Sequence, residues 1–509
     1  MLCAVPASAE LRAVVHRSGT EPTPPATDVQ TMPPVVSDHT ANAPRERLRR
    51  GTTVVAAVLV AFVGLLGACA GPEVRTSPPV PPPAAFTGTG AVEPPTRWWT
   101  AFGDARLDTL VARALRENLD LLTAWERIRE ARAAARMVGA PRYPDLEATA
   151  DAGIARPSVD EDGTLELGLV AGYEIDLFGR IGSRAAAERF RAEATAADAR
   201  ATALTLSAEV TRTWYQLVEA RAAADLVQRQ IDTNTKALAL LEARFGTGQV
   251  RRADILRQRR LLEQTRERSL AIEAEQGVLA HRMAVLLGRS PTAGVADPGK
   301  GLPEPPPLPA TGLPADLIQR RPDVQRAFLE LQAADQDLAA AVASRYPRLS
   351  ITASVSTSSA GADDLFDDWL RSLAGNLLAP LFKGGELSAE VDRAEARREQ
   401  RFYAYGQAVL QAIREVEDAL LRERVQRERI ASLAVQVDYA EQTHRRLRVE
   451  FFNGVVDFLD VLTALVDLQR LERDLLAARL ALLEDRIALY RALAGGLEDD
   501  PLVTRRTGG

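Results

Sequence analysis

Two carboxylates stand three residues apart in an apolar segment near the end of the chain. The segment NGVVDFLDVL, residues 453–462, carries Asp457 and Asp460 among valine, leucine and phenylalanine. Residues three apart on an α-helix share one face, so we expect both carboxylates on the same side of a helix. Such a pair is either an ordinary solvated face or, where acids crowd together, a place that attracts cations. The segment alone leaves both interpretations open.

Residue types that support catalysis are sparse elsewhere. The 509-residue chain has two cysteines, Cys3 and Cys69, no CxxC motif, and four histidines without metal-ligand spacing. We expect no structural metal, no catalytic thiol and, if Cys3 is removed by processing, no disulfide within one chain. No nucleophile–base pair or phosphate loop stands out, so the sequence predicts that the protein is not an enzyme and has no cofactor beyond a covalent lipid. The net charge of −6 gives no reason to invoke nucleic acid.

An apolar segment early in the chain has the layout of an export signal. Four arginines within residues 45–50 precede GTTVVAAVLVAFVGLLGACA, residues 51–70. Positive charge, a short apolar stretch and then small residues are typical of a secretory signal, and the stretch is slightly shorter than the roughly 18–20 residues of a membrane span. Its end, LLGAC, resembles a bacterial lipobox. We predict that Cys69 is lipidated; an uncleaved N-terminal anchor is the alternative.

The residues on either side of this signal divide into short segments. Because the signal lies far from Met1 and Met32 is a more usual start, we interpret residues 1–31 as an upstream extension and residues 32–68 as the signal peptide. Residues 69–96 are proline-rich, which favours extended polyproline conformation, so they are predicted to form a tether between the lipid and the folded body.

The rest of the chain contains two copies of one unit, with an offset slightly above 200 residues. Three matches carry this interpretation: Tyr143-Pro144 with Tyr346-Pro347, Leu177-Phe178 with Leu381-Phe382, and RFGTGQVRRADIL (244–256) with EFFNGVVDFLDVL (450–462). Repeats of this kind decide an architecture. We place the copies at residues 97–298 and 315–497, joined by a proline-rich connector, 299–314, and followed by a tail, 498–509.

Both copies are predicted to have the same order of elements. Each begins with a helix, over residues 107–138 and about 315–344, the second opening irregularly at Pro322. Two strands follow in each copy, with strict period-two alternation in all but the last: 144–153, 163–180, 347–359 and 369–382. Long helical patterns come next, at 184–245 and 386–452, then a glycine turn and a shorter returning helix. The first long pattern would reach about 90 Å.

Four strands per chain cannot close a barrel, and open strand edges are prohibitive in lipid. The strands alternate an apolar with a polar face, as a membrane barrel with a wet interior does. We therefore predict a mainly α protein with a small β part: a trimeric 12-strand membrane barrel, four strands per chain, continued by a long α-helical coiled-coil tunnel. A soluble sandwich with a coiled-coil stalk is the alternative.

Several segments together resemble the outer-membrane factors, the TolC- and OprM-type channels, in their lipoprotein, NodT-like branch. They are RWWTAFGDARLDTLVARALREN (97–118), RRPDVQRAFLELQAAD (320–335), the doubled LF strand exits and NGVVDFLDVL. The resemblance covers nearly all of residues 69–497. It implies a homotrimer in the bacterial outer membrane that extends into the periplasm and is the passive exit duct of a tripartite efflux pump for small molecules. The implied partners are a periplasmic membrane-fusion adaptor, an inner-membrane transporter and outer-membrane lipid.

The resemblance also assigns roles to the two glycine turns. It places Asp457 and Asp460 in an acidic ring at the periplasmic constriction, which would favour cations. Some family members lock this end with a basic residue beside the acids, but here Gly454, Val455 and Val456 precede Asp457. In the other turn, Arg251 and Arg252 are predicted to contact the adaptor or a neighbouring helix, with ordinary surface arginines as the alternative.

Other functions are compatible with parts of the pattern. A channel for type I protein secretion would share the same duct, and a lipid-anchored periplasmic coiled-coil scaffold would share the helices without a pore. Trp98 and Trp99, which follow the tether, are expected either at a membrane interface or in ordinary packing.

Overall fold

A computed structural model describes residues 77–154, 163–294, 297–299 and 301–493. The predicted upstream extension, signal peptide, lipidation site at Cys69 and C-terminal tail lie outside the described residues. In the described part of the chain, no helix combines the length and the hydropathy needed to cross a membrane.

The four predicted strands are present and form one antiparallel sheet in the order β1-β2-β3-β4. Their bounds are β1 (Asp145–Ile154), β2 (Gly163–Ile175), β3 (Arg348–Ser359) and β4 (Trp369–Leu378). The sheet therefore joins the two halves of the chain through the β2–β3 pairing. Within the described residues, β1 and β4 each pair on one side only.

The register of the sheet places most apolar side chains on one face, with Arg371, opposite Val355, as a charged exception. Leu169 lies opposite Ala148 on one side and Val355 on the other. Side chains in the neighbouring rows continue this face, since successive residues of a strand alternate: Leu146, Leu167, Ala171, Tyr173, Ile351, Ala353, Leu373 and Leu377. The opposite face carries Ser350, Thr352 and Ser354 on β3. Several of the apolar side chains are exposed in the single chain.

Among the described residues, eight α-helices follow the same order in both halves. The first half has α1 (Ala105–Glu117), α2 (Leu119–Gly139), α3 (Arg180–Phe245) and α4 (Arg252–Leu286). The second half has α5 (Pro314–Arg320), α6 (Pro322–Ala343), α7 (Glu386–Phe452) and α8 (Phe458–Ala492). The long helices, α3 and α7, have 66 and 67 residues, which at 1.5 Å per residue is about 100 Å. The predicted long and returning helices are thus confirmed.

One helix prediction was wrong. The helix expected over residues 107–138 is two helices, because the backbone of Asn118 is extended, with φ −64° and ψ 127°. Its side chain accepts a hydrogen bond from the Leu121 N–H and so caps α2. Its amide also donates to the Leu286 carbonyl oxygen at 3.0 Å, at the end of α4. The interruption therefore ties the start of the first half to its last helix.

Arg321 makes the equivalent connection in the second half. It separates α5 from α6 directly before Pro322, where the irregular opening was predicted. Its guanidinium donates to the Ala492 carbonyl oxygen at 3.1 Å and also bonds Asp323 and Glu415. Both halves thus use the residue between their first two helices to hold the end of their last helix.

The largest apolar cluster encloses the two tryptophans. Trp98 and Trp99 have exposures of 0% and 1%, and Trp98 stacks on Tyr490 with ring centroids 5.7 Å apart. The Trp98 indole also donates to the Ser207 hydroxyl. Both side chains are packed in the core of the helical body. Of the two positions expected for them, the structure shows ordinary packing and not a membrane interface.

A buried ion pair fixes the proline-rich connector to the helices. Arg486 of α8 is fully buried, and its Nε donates to Glu423 of α7 at 2.9 Å. The same guanidinium donates to the Pro306 carbonyl oxygen. A buried charge is tolerable only when its partners satisfy it, so the connector is held at this point.

Candidate functional site

The two glycine turns lie at the ends of two helical hairpins. The first turn connects α3 with α4, and the second connects α7 with α8. Gly248 and Gly454 have φ values of 76° and 74°, in the left-handed region that favours glycine. The two turns can therefore reverse the chain within a few residues.

The hairpin ends are packed together by an apolar cluster, which we call the end cluster. Its buried members come from α3, α4 and α8: Leu241, Ile255, Leu261, Phe458, Val461, Leu462 and Leu465. Phe451 of α7 packs against the cluster, and its ring meets the edge of the Phe458 ring at 5.6 Å. The two hairpins are thus joined at their ends by desolvated side chains.

Asp457 and Asp460 stand beside the end cluster, in an arrangement that differs from the prediction. Helix α8 begins at Phe458, so Asp457 is its N-cap, with extended backbone at φ −77° and ψ 155°. Only Asp460 is helical, and the expected stacking of both acids on one helix face is therefore wrong. Both residues are exposed. They lie at the N-terminal end of α8, where the helix dipole favours negative charge.

The other turn supplies a basic partner for Asp457. Arg251 is the N-cap of α4, as Asp457 is of α8, and its Nη2 lies 3.6 Å from the Asp457 Oδ2. Arg251 is held in turn by Asp254, which is buried and accepts from the Arg251 backbone N–H at 3.2 Å and Nε at 3.3 Å. Arg257 also bonds Asp254.

Sequence reasoning missed this contact because it looked for a basic residue next to the acids. The signal was present in the repeat itself, since Arg251 and Asp457 occupy matching positions of the two copies with opposite charge. The prediction for Arg251 was contact with the adaptor or with a neighbouring helix, and within the chain the structure places it beside Asp457 at the start of α8. Arg252 has an exposed side chain with no ion pair among the described residues, and its adaptor contact stays a prediction.

Magnitudes decide which interaction joins the hairpin ends. The Arg251 and Asp457 side chains are 62% and 76% exposed, and exposed pairs contribute less than about 1 kcal/mol. Each large apolar side chain of the end cluster contributes about 1.5–3 kcal/mol when fully buried. Apolar packing therefore contributes most of the free energy that joins the hairpin ends, and the ion pair mainly orients the two turns relative to each other.

A buried polar network follows along the hairpins, next to the end cluster. The Asn234 amide donates to the Thr265 hydroxyl at 3.0 Å, and the Gln469 amide donates to Asn234 Oδ1 at 3.1 Å. Arg473 donates to Gln230 Oε1 at 2.6 Å, and burial, with the nearby Arg268, lowers the pKa of Arg473 to about 10. Satisfied buried networks specify one arrangement of the helices.

Metal-binding groups are absent from this part of the chain. Across the described residues, no three His, Cys, Asp or Glu side chains are placed to hold a metal ion. Asp457 and Asp460 of one chain are exposed carboxylates, and Asp457 has Arg251 as its partner.

Comparison with known proteins places this hairpin architecture in a family. The sequence model described as outer membrane efflux protein matches residues 110–289 and 313–495, one segment in each half of the chain. The chain belongs to the outer membrane efflux protein family. The resemblance inferred from the sequence is thereby confirmed, and so are an outer-membrane location and the role of an efflux channel.

The matches to named relatives cover almost the full length of each relative. The pyoverdine export outer membrane protein OpmQ of Pseudomonas aeruginosa is 30% identical over 471 residues, covering 87% of this chain and 97% of OpmQ. The cation efflux system protein CusC of Escherichia coli strain K12 is 28% identical, covering 83% and 94%. The solved structure of the outer-membrane channel OprN superposes with a TM-score of 0.78 at 28% identity, covering 84% of this chain and 99% of OprN.

We expect opening of the hairpin ends to depend more on the end cluster than on the ion pair. In planar-bilayer recordings, Phe458→Ala should raise the open fraction more than tenfold, since such truncations cost about 3–5 kcal/mol. Arg251→Ala should raise it by at most about fivefold, the equivalent of about 1 kcal/mol. Arg252→Ala removes the same charge without breaking a pair and is the control. A larger effect of Arg251→Ala than of Phe458→Ala would show that the ion pair dominates.

Proposed function

We propose that the protein is the homotrimeric, passive exit duct of a tripartite pump that carries small molecules across the outer membrane. The open sheet supports this proposal most directly. Its outer strands, β1 and β4, each offer an unpaired edge, and unpaired backbone groups cost several kcal/mol each in lipid. Three chains with four strands each close a barrel of twelve. The apolar face of the sheet then meets lipid and the serine- and threonine-rich face meets water.

An aromatic pair supports the same assembly. The Phe178 ring, after β2, stacks on the Tyr346 ring, before β3, with centroids 4.7 Å apart. Their counterparts in the repeat are Phe382, after β4, and Tyr143, before β1. In the single chain these two are 89% and 74% exposed. If β4 pairs with β1 of the next copy as β2 pairs with β3, Phe382 stacks on Tyr143 of that copy.

Cross-linking tests this assembly. The variant Phe382→Cys/Tyr143→Cys, treated with a bismaleimide of about 10 Å span, should give covalent trimers in denaturing gels, since stacked rings bring the two positions close. The matched control, Phe178→Cys/Tyr346→Cys, should react within one chain and leave the mass of a monomer. Each single variant should give neither product. Cross-linking that stops at dimers, or that is absent while the control reacts, would contradict a closed trimer.

The internal two-fold repeat is part of the proposal. The same order of elements in both halves, the paired roles of Asn118 and Arg321, and the two matched family segments support it. In a trimer the six halves alternate around the axis. Each chain then contributes both hairpins to the periplasmic end, and three copies place six carboxylates, from Asp457 and Asp460, around it.

We propose that these carboxylates form a cation-favouring constriction, because acids that repel one another are tolerated when cations or water lie between them.

In bilayers with a KCl gradient, Asp457→Ala/Asp460→Ala should lower the cation preference that the reversal potential reports and should change the conductance. The control is Asp120→Ala/Asp316→Ala, which removes two exposed first-turn aspartates from other helices. Unchanged selectivity and conductance would rule out this role. A protein without any pore would instead support the scaffold alternative.

The proposed partners are a periplasmic adaptor and an inner-membrane transporter. OpmQ and CusC are named for pyoverdine export and cation efflux, so related ducts serve chemically different cargo. We infer that the transporter and adaptor choose the cargo and that the duct conducts it. These names also favour efflux over protein secretion. We propose that Arg252, and Arg251 where it is not engaged by Asp457, meet the adaptor at the hairpin ends.

We further propose that lipid on Cys69 anchors the N-terminus. Cells grown with labelled palmitate should incorporate label into the wild-type protein, and Cys69→Ala should abolish incorporation because the attachment atom is lost. Cys3→Ala should retain the label, since that residue would be removed with the signal. A Cys69→Ala variant that is labelled as strongly as the wild type would favour an uncleaved anchor with lipid elsewhere.

A further inference from the structure

A charged cavity of about 960 Å³ lies against four helices of the body, away from the hairpin ends. Helices α2, α3, α6 and α7 all line it, and they pack side by side in that order. A cavity that four neighbouring helices share lies on the concave side of their row. In the proposed trimer the concave side faces the tunnel. Five arginines line the cavity: Arg127, Arg191, Arg326, Arg397 and Arg401.

Three of these arginines are neutralised by carboxylates on neighbouring helices. The pairs join α3 with α6 and α6 with α7, and they are Arg191–Asp337, Arg326–Asp198 at 3.5 Å and Arg401–Glu330 at 2.6 Å. Ion pairs between helices fix the spacing of the wall. These three arginines therefore have a structural role that accounts for their presence.

Arg127 and Arg397 are less engaged, although the charge of Arg397 also acts on the Asp337 carboxylate. Neither side chain has a carboxylate within 4 Å or a hydrogen bond among the residues that the structure describes, and both are exposed to the cavity solvent. They stand on α2 and α7, the two outermost helices of the four. With five arginines and three carboxylates, the lining carries a net charge of +2. An adjoining cavity of about 210 Å³ shares Arg191 and Arg397, and it adds Arg184 and the ion pair of Arg393 with Glu390.

The proposed trimer would bring these two arginines together. Helix α7 is the counterpart of α3, and α2 is the counterpart of α6, and α3 packs along α6 within the chain. By the same symmetry, α7 of one copy packs along α2 of the next. Arg397 and the neighbouring Arg127 then flank one junction. Three junctions place six guanidinium groups, without carboxylate partners in their own chains, around the wall at one level.

We propose that this arginine-lined cavity binds carboxylate- or phosphate-bearing anions on the tunnel wall, as a station for anionic cargo. Guanidinium groups present parallel N–H donors that match the two oxygens of a carboxylate or phosphate. A cavity with a surplus of such donors attracts a multivalent anion and excludes cations. The station rests on the proposed channel function, and its selectivity is opposite to that of the acidic hairpin end.

Citrate is a suitable probe, because it carries three carboxylates and is not specific to one transporter. Equilibrium dialysis of the purified full-length trimer at low ionic strength should show saturable citrate binding. Arg127→Gln/Arg397→Gln should weaken it at least tenfold, since both unpaired donors are lost. The matched control is Arg129→Gln/Arg414→Gln, which removes two exposed arginines from the same helices outside the cavity. It should change the affinity by less than twofold.

Absence of saturable citrate binding by the wild type, or equal weakening of citrate binding in both variants, would contradict the proposed anion-binding station. Channel recordings separate this result from failure of the channel itself. Wild type and the control variant should conduct KCl alike, since Arg129 and Arg414 belong neither to the hairpin ends nor to the cavity. Conduction without citrate binding rejects the station alone, whereas a wild-type protein that does not conduct rejects the proposed duct.

Discussion

The unpaired edges of a four-stranded sheet constrain the rest of the molecule. The outer strands, β1 and β4, have ten residues each, and their free backbone groups cannot be left without partners in hydrocarbon. No rearrangement within one chain closes so short a sheet. In the proposed trimer the helices follow the symmetry of the closed barrel, because each long helix continues a strand through only a few residues. A tunnel would then continue the barrel, with a wall built from the same three copies.

The two halves of the chain keep this symmetry where the wall is formed and lose it at the hairpin ends. The long helices differ by one residue, and Asn118 and Arg321 make the same connection with different chemistry. At the turns, matching N-cap positions carry Arg251 and Asp457, so opposite charges meet where the two hairpins touch. At this pair of positions, the difference between the two halves places opposite charges where the hairpins touch.

Local patterns in the sequence were sufficient for most of the fold. Period-two alternation predicted three of the strands, and stretches free of glycine and proline predicted the long helices. In strand β4, Leu370 and Leu378 fall on the same face as Ser372 and Asn376, so its alternation was weak and the repeat had to supply the strand. The break at Asn118 was missed because its neighbours keep the apolar spacing of a helix. The carbonyl group that Asn118 binds lies 168 residues away in the sequence and leaves no mark on the local pattern. The Arg251–Asp457 contact was missed for the same reason, since the two side chains meet only when the two hairpins pack together.

Differences in local stability indicate how such a channel opens without coming apart. The end cluster is small, and the exposed ion pair beside it adds little. The body, in contrast, encloses Trp98 and Trp99 and the buried Arg486–Glu423 pair, whose separation would leave a charge without a partner. Between them lies the polar network of Asn234, Thr265 and Gln469, which holds the helices in register and limits how far a disturbance at the ends travels. Regions of low local stability are where proteins open first. In the proposed pump, a partner that binds the hairpin ends would therefore act on the end cluster before it disturbs the helical body or the strand pairing.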